Sequence, residues 1–233
     1  MATETLTTEQ QRAAYLKEAQ EKAVKLFDEI EQSIVRPGVS EKQLSDEIHE
    51  LGAKRYDVRT HWHKRVIRSG PNTLFPYAEN PPDRILQTDD IVFVDLGPVF
   101  EAWEADFGRT FVLGDDPVKA RLRDTLEPLW KKVKSHFQDN PDITGEELYH
   151  FTCDLAKEAG WEFGGSHAGH LVGQFPHERI PGDKVEFYIT TGSEKPMRRT
   201  GKDGQPLHWI LEVHLVDRER QIGGFMEQLL TVD

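Results

Sequence analysis

Hydrophobic positions recur along the first part of the chain with a helical period. From Thr8 to Val35, Leu16, Ala19, Ala23, Leu26, Ile30 and Ile34 return at three- and four-residue steps among many Glu, Gln and Lys. That spacing predicts one long amphipathic helix packing its stripe on a sheet, and Arg36-Pro37-Gly38 ends it. Ser40, with Gln43 three residues on, reads as a capping box that opens a second helix running to about Arg55. The period then changes. Val58–Ser69 alternates, with Thr60, Trp62, Lys64 and Val66 on one face and His61 and His63 sharing the other, as in a strand. Gly70-Pro71-Asn72 closes it, and a Pro-rich loop from Pro76 to Pro82 follows.

Ile91–Phe111 is the centre of the pattern. The apolar run Ile91-Val92-Phe93-Val94 ends in Asp95, a turn-prone segment follows, and a second run of aromatic and small residues carries Asp106. Two such runs predict an antiparallel hairpin. A turn centred on Phe100-Glu101 sets Asp95 directly opposite Asp106, with Cβ atoms about 5 Å apart. Two carboxylates that close repel each other and are costly to bury bare, so the pair calls for a neutralising cation. Two surface acids on a solvated face is the plain alternative.

Pro117–Asn140 and Thr144–Ala159 predict two more helices, with Gly160 capping the second. A Gly- and His-rich passage, Gly164 to His170, follows. Asp183–Leu207 is the least regular part and is expected to be a β-extension with an exposed loop. The last strands are expected over His208–Val216 and Phe225–Val232, around a turn at Arg218–Gly224. Each interrupts an apolar run with an acid, Glu212 and Glu227. An acid in such a run faces solvent or is paired or metal-bound. With Asp95, Asp106 and His170 they make four carboxylates and an imidazole, a donor set suited to two divalent ions.

Composition narrows the classes without changing this picture. The chain has 233 residues, net charge −12, and 30% charged and 37% hydrophobic residues, and its pI is about 5.3. That balance fits one large domain over 1–233 and no nucleic-acid partner. The single cysteine, Cys153, excludes an internal disulfide and a cysteine-built metal knot. No apolar run approaches a membrane span, and the first residues lack a signal-peptide core, so the expected location is cytoplasmic. A homodimer is one arrangement open to it.

At this point the residues resemble a family, the pita-bread metallopeptidases: methionine aminopeptidase, aminopeptidase P and prolidase. Its ligand order is Asp, Asp, His, Glu, Glu, with the aspartates eleven positions apart, as Asp95 and Asp106 are. Ser69-Gly70-Pro71-Asn72 is similar to its SGPN, Asp106-Phe107-Gly108-Arg109-Thr110-Phe111 to its D-x-x-R-T-F, and His170 to His177 to its H-x-x-G-x-x-x-H. The Arg-Thr leans toward the Xaa-Pro aminopeptidase and prolidase branch. The resemblance covers about Leu26 to the C-terminus, the catalytic domain without that branch's additional N-terminal domain. It implies an α+β fold, an antiparallel sheet covered by helices in two pseudo-symmetric halves. It implies two divalent ions (Mn, Fe, Co or Zn), with Asp95 on one, Asp106 and Glu227 bridging, and His170 and Glu212 completing the second. A hydroxide acidified by the cations would be the nucleophile, Glu212 the general base and His177 the group that polarises the scissile carbonyl. A surface loop histidine is the plain reading of His177.

Three departures bear on substrate. The family's histidine before the hairpin is missing, because the place reads Phe75-Pro76-Tyr77. Tyr77 can donate a hydrogen bond, and His61 or His63 could supply the ring. The family's Glu-Pro-Gly is here Glu212-Val213-His214, and His214 could reach the site. Asp183–Leu207 carries Lys195, Arg198, Arg199 and Lys202, which makes it a solvated loop or a lid that favours an anionic substrate. The expected function is therefore a dinuclear metal-dependent hydrolase of a small peptide or amide. A dinuclear enzyme with a non-peptide substrate, including iron-dependent oxidation, and a non-catalytic binding module are the alternatives.

Overall fold

The structure, a computed structural model, describes residues 8–176, 184–202 and 204–232. Helices α1 (Thr8–Ser33) and α2 (Glu41–Arg55) precede strand β1 (Val66–Ser69), and a 3-10 turn at Gly70–Leu74 leads toward the hairpin. The hairpin comprises β2 (Ile91–Leu96), β3 (Val99–Phe100), β4 (Trp103–Glu104) and β5 (Phe107–Val112). Helices α3 (Pro117–Asp139) and α4 (Gly145–Glu158) follow, then the short β6 (Glu162–Phe163) and β7 (Leu171–Val172), and finally β8 (His208–Asp217) and β9 (Ile222–Leu229). The sheet order is β1-β2-β5-β9-β8-β6, with β7 also on β8, and every pairing in it is antiparallel. Among the described residues no helix is long and apolar enough to cross a membrane.

Strand alternation decides which face meets the helices. Val92, Val94 and Leu96 of β2 pack with Leu26, Ile30 and Leu44 of α1 and α2. Leu211, Val213 and Leu215 of β8 pack with Leu122, Trp130 and Leu148 of α3 and α4. The intervening positions, Phe93 and Asp95 on β2 and Glu212 and His214 on β8, must then point to the other face, where the acids collect. Of the capping box expected at Ser40 only half forms: Ser40 accepts from the Gln43 N–H, while the Gln43 side chain donates to Glu47 at 3.0 Å. The reciprocal box is found instead at α4, between Thr144 and Glu147.

The Ser69–Asn72 stretch is held by an acid outside it. Glu41 is buried at the start of α2. It accepts from the Ser69 N–H at 2.6 Å and hydroxyl at 2.9 Å, and from the Asn72 amide at 2.9 and 3.1 Å. Burial pushes its carboxyl above the ordinary range, while Asn72 and Ser69 pull it back. Buried acids require such donors.

Four expectations are corrected. The alternating run ahead of Ser69 is a strand only from Val66. Trp62 N–H bonds to Gly97 O at 2.9 Å and Val99 N–H to Thr60 O at 3.1 Å, which pins 60–62 to the β2–β3 corner and breaks the alternation. The hairpin turns on Glu101-Ala102, one residue later than expected, with Glu101 at φ 58°, so Asp95 pairs with Gly108 and not with Asp106. Strand β9 begins at Ile222 rather than Phe225. Gly223 and Gly224 read as turn residues, but a Cβ on them would lie 2.3 Å from Thr73 O and 2.3 Å from a Leu122 methyl respectively. They are close-approach glycines inside a strand. Finally, the described part of Asp183–Leu207 holds a 3-10 turn (Val185–Phe187), bends and only isolated antiparallel bridges, at Tyr188, Pro196 and Thr200–Pro206, rather than an extended strand. Ile189 and Met197 anchor it in the core.

Candidate metal centre

The register of the sheet sets the acids in a row. Asp95 pairs with Gly108, Gly108 with Glu227, and Glu227 with Glu212, so one line crosses β2, β5, β9 and β8. Gly108 is the gap in that line. A Cβ there would lie 2.6 Å from Phe225 ring carbons and 3.2 Å from Glu227 Cβ, so only glycine lets Glu227 settle between Asp95 and Glu212. Asp106 enters from the residue just before β5, diagonal to Asp95. Arg109 donates to the Glu227 carbonyl at 3.0 Å and lies over the Phe107 ring, fixing the backbone that carries Glu227.

Two histidines close on Asp106 from opposite sides. His63 Nε2 is 3.1 Å from Asp106 Oδ1 and 3.5 Å from Asp95 Oδ1. His170 Nε2 is 3.3 Å from Asp106 Oδ2. Backbone bonds from Ile210 N–H to His170 O and from Ile189 N–H to Gly169 O hold the second histidine against β8. A Cβ on Gly169 would meet Ile210 O at 2.2 Å, and its φ is 132°, so this approach requires glycine.

Burial and the packed charges set the protonation of the cluster. Burial raises the Asp95 carboxyl, opposed by His63 and reinforced by Asp106, to about 7. Burial acts on Asp106 too, but His63 and His170 overcome it and hold that carboxyl at about 2. Glu227 is pushed well above the ordinary range by burial and then by Asp106 and Asp95. Burial alone would lower His63, yet Asp95 and Asp106 raise it to about 9.

This donor set fits divalent ions. Two groups converge, His63–Asp95–Asp106 and Asp106–His170–Glu227, and within each group one ligand atom per residue lies within 4.8 Å of the others. Among the described residues Asp95 Oδ1 is buried with no hydrogen-bond partner, and Glu212 Oε1 is approached by His167 Nε2 at 2.8 Å. Carboxylates and imidazoles with open lone pairs are what hard and borderline cations require.

The other candidates fall in different places. His61 faces α2, with its ring 6.1 Å from that of His49, and burial lowers it to about 3, so the two histidines do not share a face. Tyr77 is exposed at the rim, its ring 5.6 Å from the His63 ring. His214 is fully buried and its Nε2 is 2.8 Å from Thr73 O. It packs between Phe93 and Phe225, as a support beneath Glu212. His177 lies outside the described residues. In the basic segment Arg198 is bound to the carbonyls that end α3, at Phe137 and Asn140, while Lys195 pairs with Glu186. Lys195, Arg199 and Lys202 line a cavity of about 890 Å³ with Arg12, Trp103 and Phe175.

Two features of the site carry no local signal in the sequence. His167, raised because Glu212 overcomes its burial, sits three residues before His170, but its reach to Glu212 depends on the β8 register. The place of His63 among the acids depends on Gly97, where a Cβ would meet His63 and Trp62 ring atoms at 2.3 Å. A glycine 34 positions further along the chain carries no sequence signal for that contact.

An antiparallel sheet with helices on one face and a carboxylate–histidine cluster on the other defines the pita-bread class of metallopeptidase folds. The chain belongs to metallopeptidase family M24, whose model matches residues 14–210. It is 29% identical over 162 residues to an uncharacterized peptidase of Staphylococcus saprophyticus, covering 67% of this chain and 45% of that protein. It is 28% identical over 140 residues to one of Methanocaldococcus jannaschii, covering 60% and 38%. The chain thus spans about half the length, or less, of these relatives. The prolidase of Thermococcus sibiricus superposes with a TM-score of 0.74 at 19% identity, over 96% of this chain and 56% of that one. The methionine aminopeptidase of Rickettsia prowazekii superposes with a TM-score of 0.66 at 16% identity, over 98% and 95%. At these identities the likeness defines the fold alone.

Proposed function

We propose that this chain is a metal-dependent hydrolase of peptide or small amide bonds, holding two divalent ions on Asp95, Asp106, His170, Glu212 and Glu227. The observation that carries the reading is Asp106, whose two oxygens face two different imidazoles, as a carboxylate shared between two ion positions must. Bound there, divalent ions supply Lewis acidity to a carbonyl and lower the pKa of water. Glu212, at the β8 end of the row, takes the proton from the attacking water and returns it to the leaving amine. His167 beside it sets its Nε2 2.8 Å from Glu212 Oε1 and so holds the carboxylate in place. Tyr77 at the rim offers one neutral hydroxyl to substrate. Arg199 and Lys202 around the neighbouring cavity favour a substrate with a carboxylate.

The test is reconstitution with Mn²⁺, Co²⁺, Zn²⁺ or Fe²⁺, followed by elemental analysis and assay on Xaa-Pro dipeptides and small carboxylated amides. About two ions per chain and turnover of one of these classes are expected, both lost in Asp106→Ala. The absence of tight metal, with a melting temperature indifferent to chelator, overturns the reading.

A further inference from the structure

We propose that His63 is itself a metal ligand, giving the Asp95–Asp106 position the kind of nitrogen donor that His170 gives the Asp106–Glu227 position. The inference rests on the metal-dependent reading above and adds a donor to it.

Four observations carry it. The two imidazoles are set alike: His63 Nδ1 is 2.6 Å from the carbonyl of the next residue, Lys64, and His170 Nδ1 is 2.7 Å from the carbonyl of the next residue, Leu171. An Nδ1–H donated to a backbone carbonyl fixes the tautomer whose Nε2 lone pair is free for a cation. Both Nε2 atoms then face Asp106, one at each oxygen, 3.1 and 3.3 Å away, so the carboxylate is approached symmetrically. His63 is also sealed in, its side chain 4% exposed beside Asp95 at 9%, and among the described residues Asp95 Oδ1 lacks a hydrogen bond. Last, the chain makes room for the ring. Gly97 has no side chain where His63 and Trp62 pass, and Trp62 stands edge-on to both imidazoles, 4.5 Å from His63 and 5.2 Å from His170.

The plain alternative is a counter-ion: His63 as imidazolium, filling the place of a cation between two aspartates. The alternatives differ in sign. As a ligand, His63 strengthens ion binding, and its loss weakens it. As a counter-ion it competes, and its loss leaves affinity unchanged or raises it. A nitrogen at each position also moves selectivity toward Zn²⁺, Co²⁺ and Fe²⁺ and away from Mn²⁺, since imidazole suits the borderline ions.

The experiment loads the full chain with Co²⁺ and counts hyperfine-shifted, solvent-exchangeable imidazole N–H resonances by proton NMR, alongside calorimetric titration. The wild type is expected to show one such resonance that disappears in His63→Ala and another that disappears in His170→Ala. His63→Ala should also weaken one of the two Co²⁺ binding steps by at least about 10-fold, by analogy with the loss of a supporting histidine contact. If every shifted resonance survives in His63→Ala, or Co²⁺ affinity is unchanged or higher, the inference is overturned. Should His63→Ala fail to fold, His170→Ala decides: a remaining resonance supports His63, and none overturns it. A wild type that binds no Co²⁺ overturns the metal-dependent reading itself, an outcome distinct from binding with a single imidazole.

Discussion

Glu212 and Glu227 face each other directly across the β8–β9 ladder. Like charges so placed oppose pairing of the strands, yet this is the longest ladder of the sheet and carries both acids on its buried face. The pairing is eased because burial, with Asp106 and Asp95 beside it, pushes the Glu227 carboxyl well above its ordinary range toward the neutral form, and a bound cation would do the same work.

The metal-free protein should therefore lose stability as pH rises. Asp95 moves from an ordinary 3.8 to about 7 on folding, so between those values the folded state holds a proton that the unfolded state has released. Its contribution declines across that window, and Glu227 acts in the same direction. His63, raised from 6.5 to about 9, stabilises fully below 6.5 and loses that effect as pH climbs through 9. Asp106, lowered from 3.8 to about 2, acts the other way only on the acid side, where stability is lost as pH falls through 2. Below 6.5 the buried His61, lowered to about 3, opposes this trend because the unfolded chain takes up its proton, so thermal melts of chelator-treated protein should fall most clearly from about pH 7 to 9. Melts with bound ion should fall less, since binding displaces the same protons.

Gly108→Ala should damage the site without touching a ligand. Its Cβ would overlap Phe225 and crowd Glu227, an overpacking that costs about 1–3 kcal/mol. Denaturant unfolding should show that loss, and metal titration should show weaker binding at the position that uses Glu227.

Glu41→Ala tests the support of the Ser69–Asn72 turn. Its removal takes the carboxylate acceptor from the Ser69 N–H and hydroxyl and leaves the Asn72 amide only the Pro82 carbonyl, a loss of about 2–4 kcal/mol. Chemical denaturation measures it; a change within about 0.5 kcal/mol would show that the turn holds itself.

His177→Ala, chosen for its seven-residue spacing from His170, should keep the metal content while turnover falls on the order of 100-fold, about 3 kcal/mol of lost oxyanion stabilisation. Elemental analysis with steady-state kinetics separates the two effects. Unchanged turnover returns His177 to a surface role.

Specificity should be narrow. With Phe75-Pro76-Tyr77 in place of the family's histidine, ordinary Xaa-Pro dipeptides should be cleaved slowly even with metal bound. A kcat/KM at or above about 10⁴ M⁻¹s⁻¹ would show that Tyr77 and the neighbouring histidines replace the ring.

Helix boundaries were legible because a 3.6-residue period and a side-chain cap are local signals: Ser40 and Thr144 stand where the helices start. The acids were legible because each breaks an apolar run. Register was not, since a single residue with positive φ, Glu101, moves the turn by one position and changes which residues pair. Nor was β9, where Gly223 and Gly224 look like turn residues unless Thr73 and Leu122 are known to lie against them. His63 was visible as a candidate ring, but its partners Asp95, Asp106 and Gly97 meet it only after the chain leaves strand geometry at 60–62.

The row of acids also has a seam. Asp95, Asp106 and His63 precede α3, while His170, Glu212 and Glu227 follow α4, and the two groups meet where Gly108 pairs with Glu227. Cutting the polypeptide between β5 and α3 would leave each fragment with half a chelator and one exposed strand edge. Complementation of two such fragments would need both the edge contact and the ion, so metal concentration would act as a dial on their reassembly.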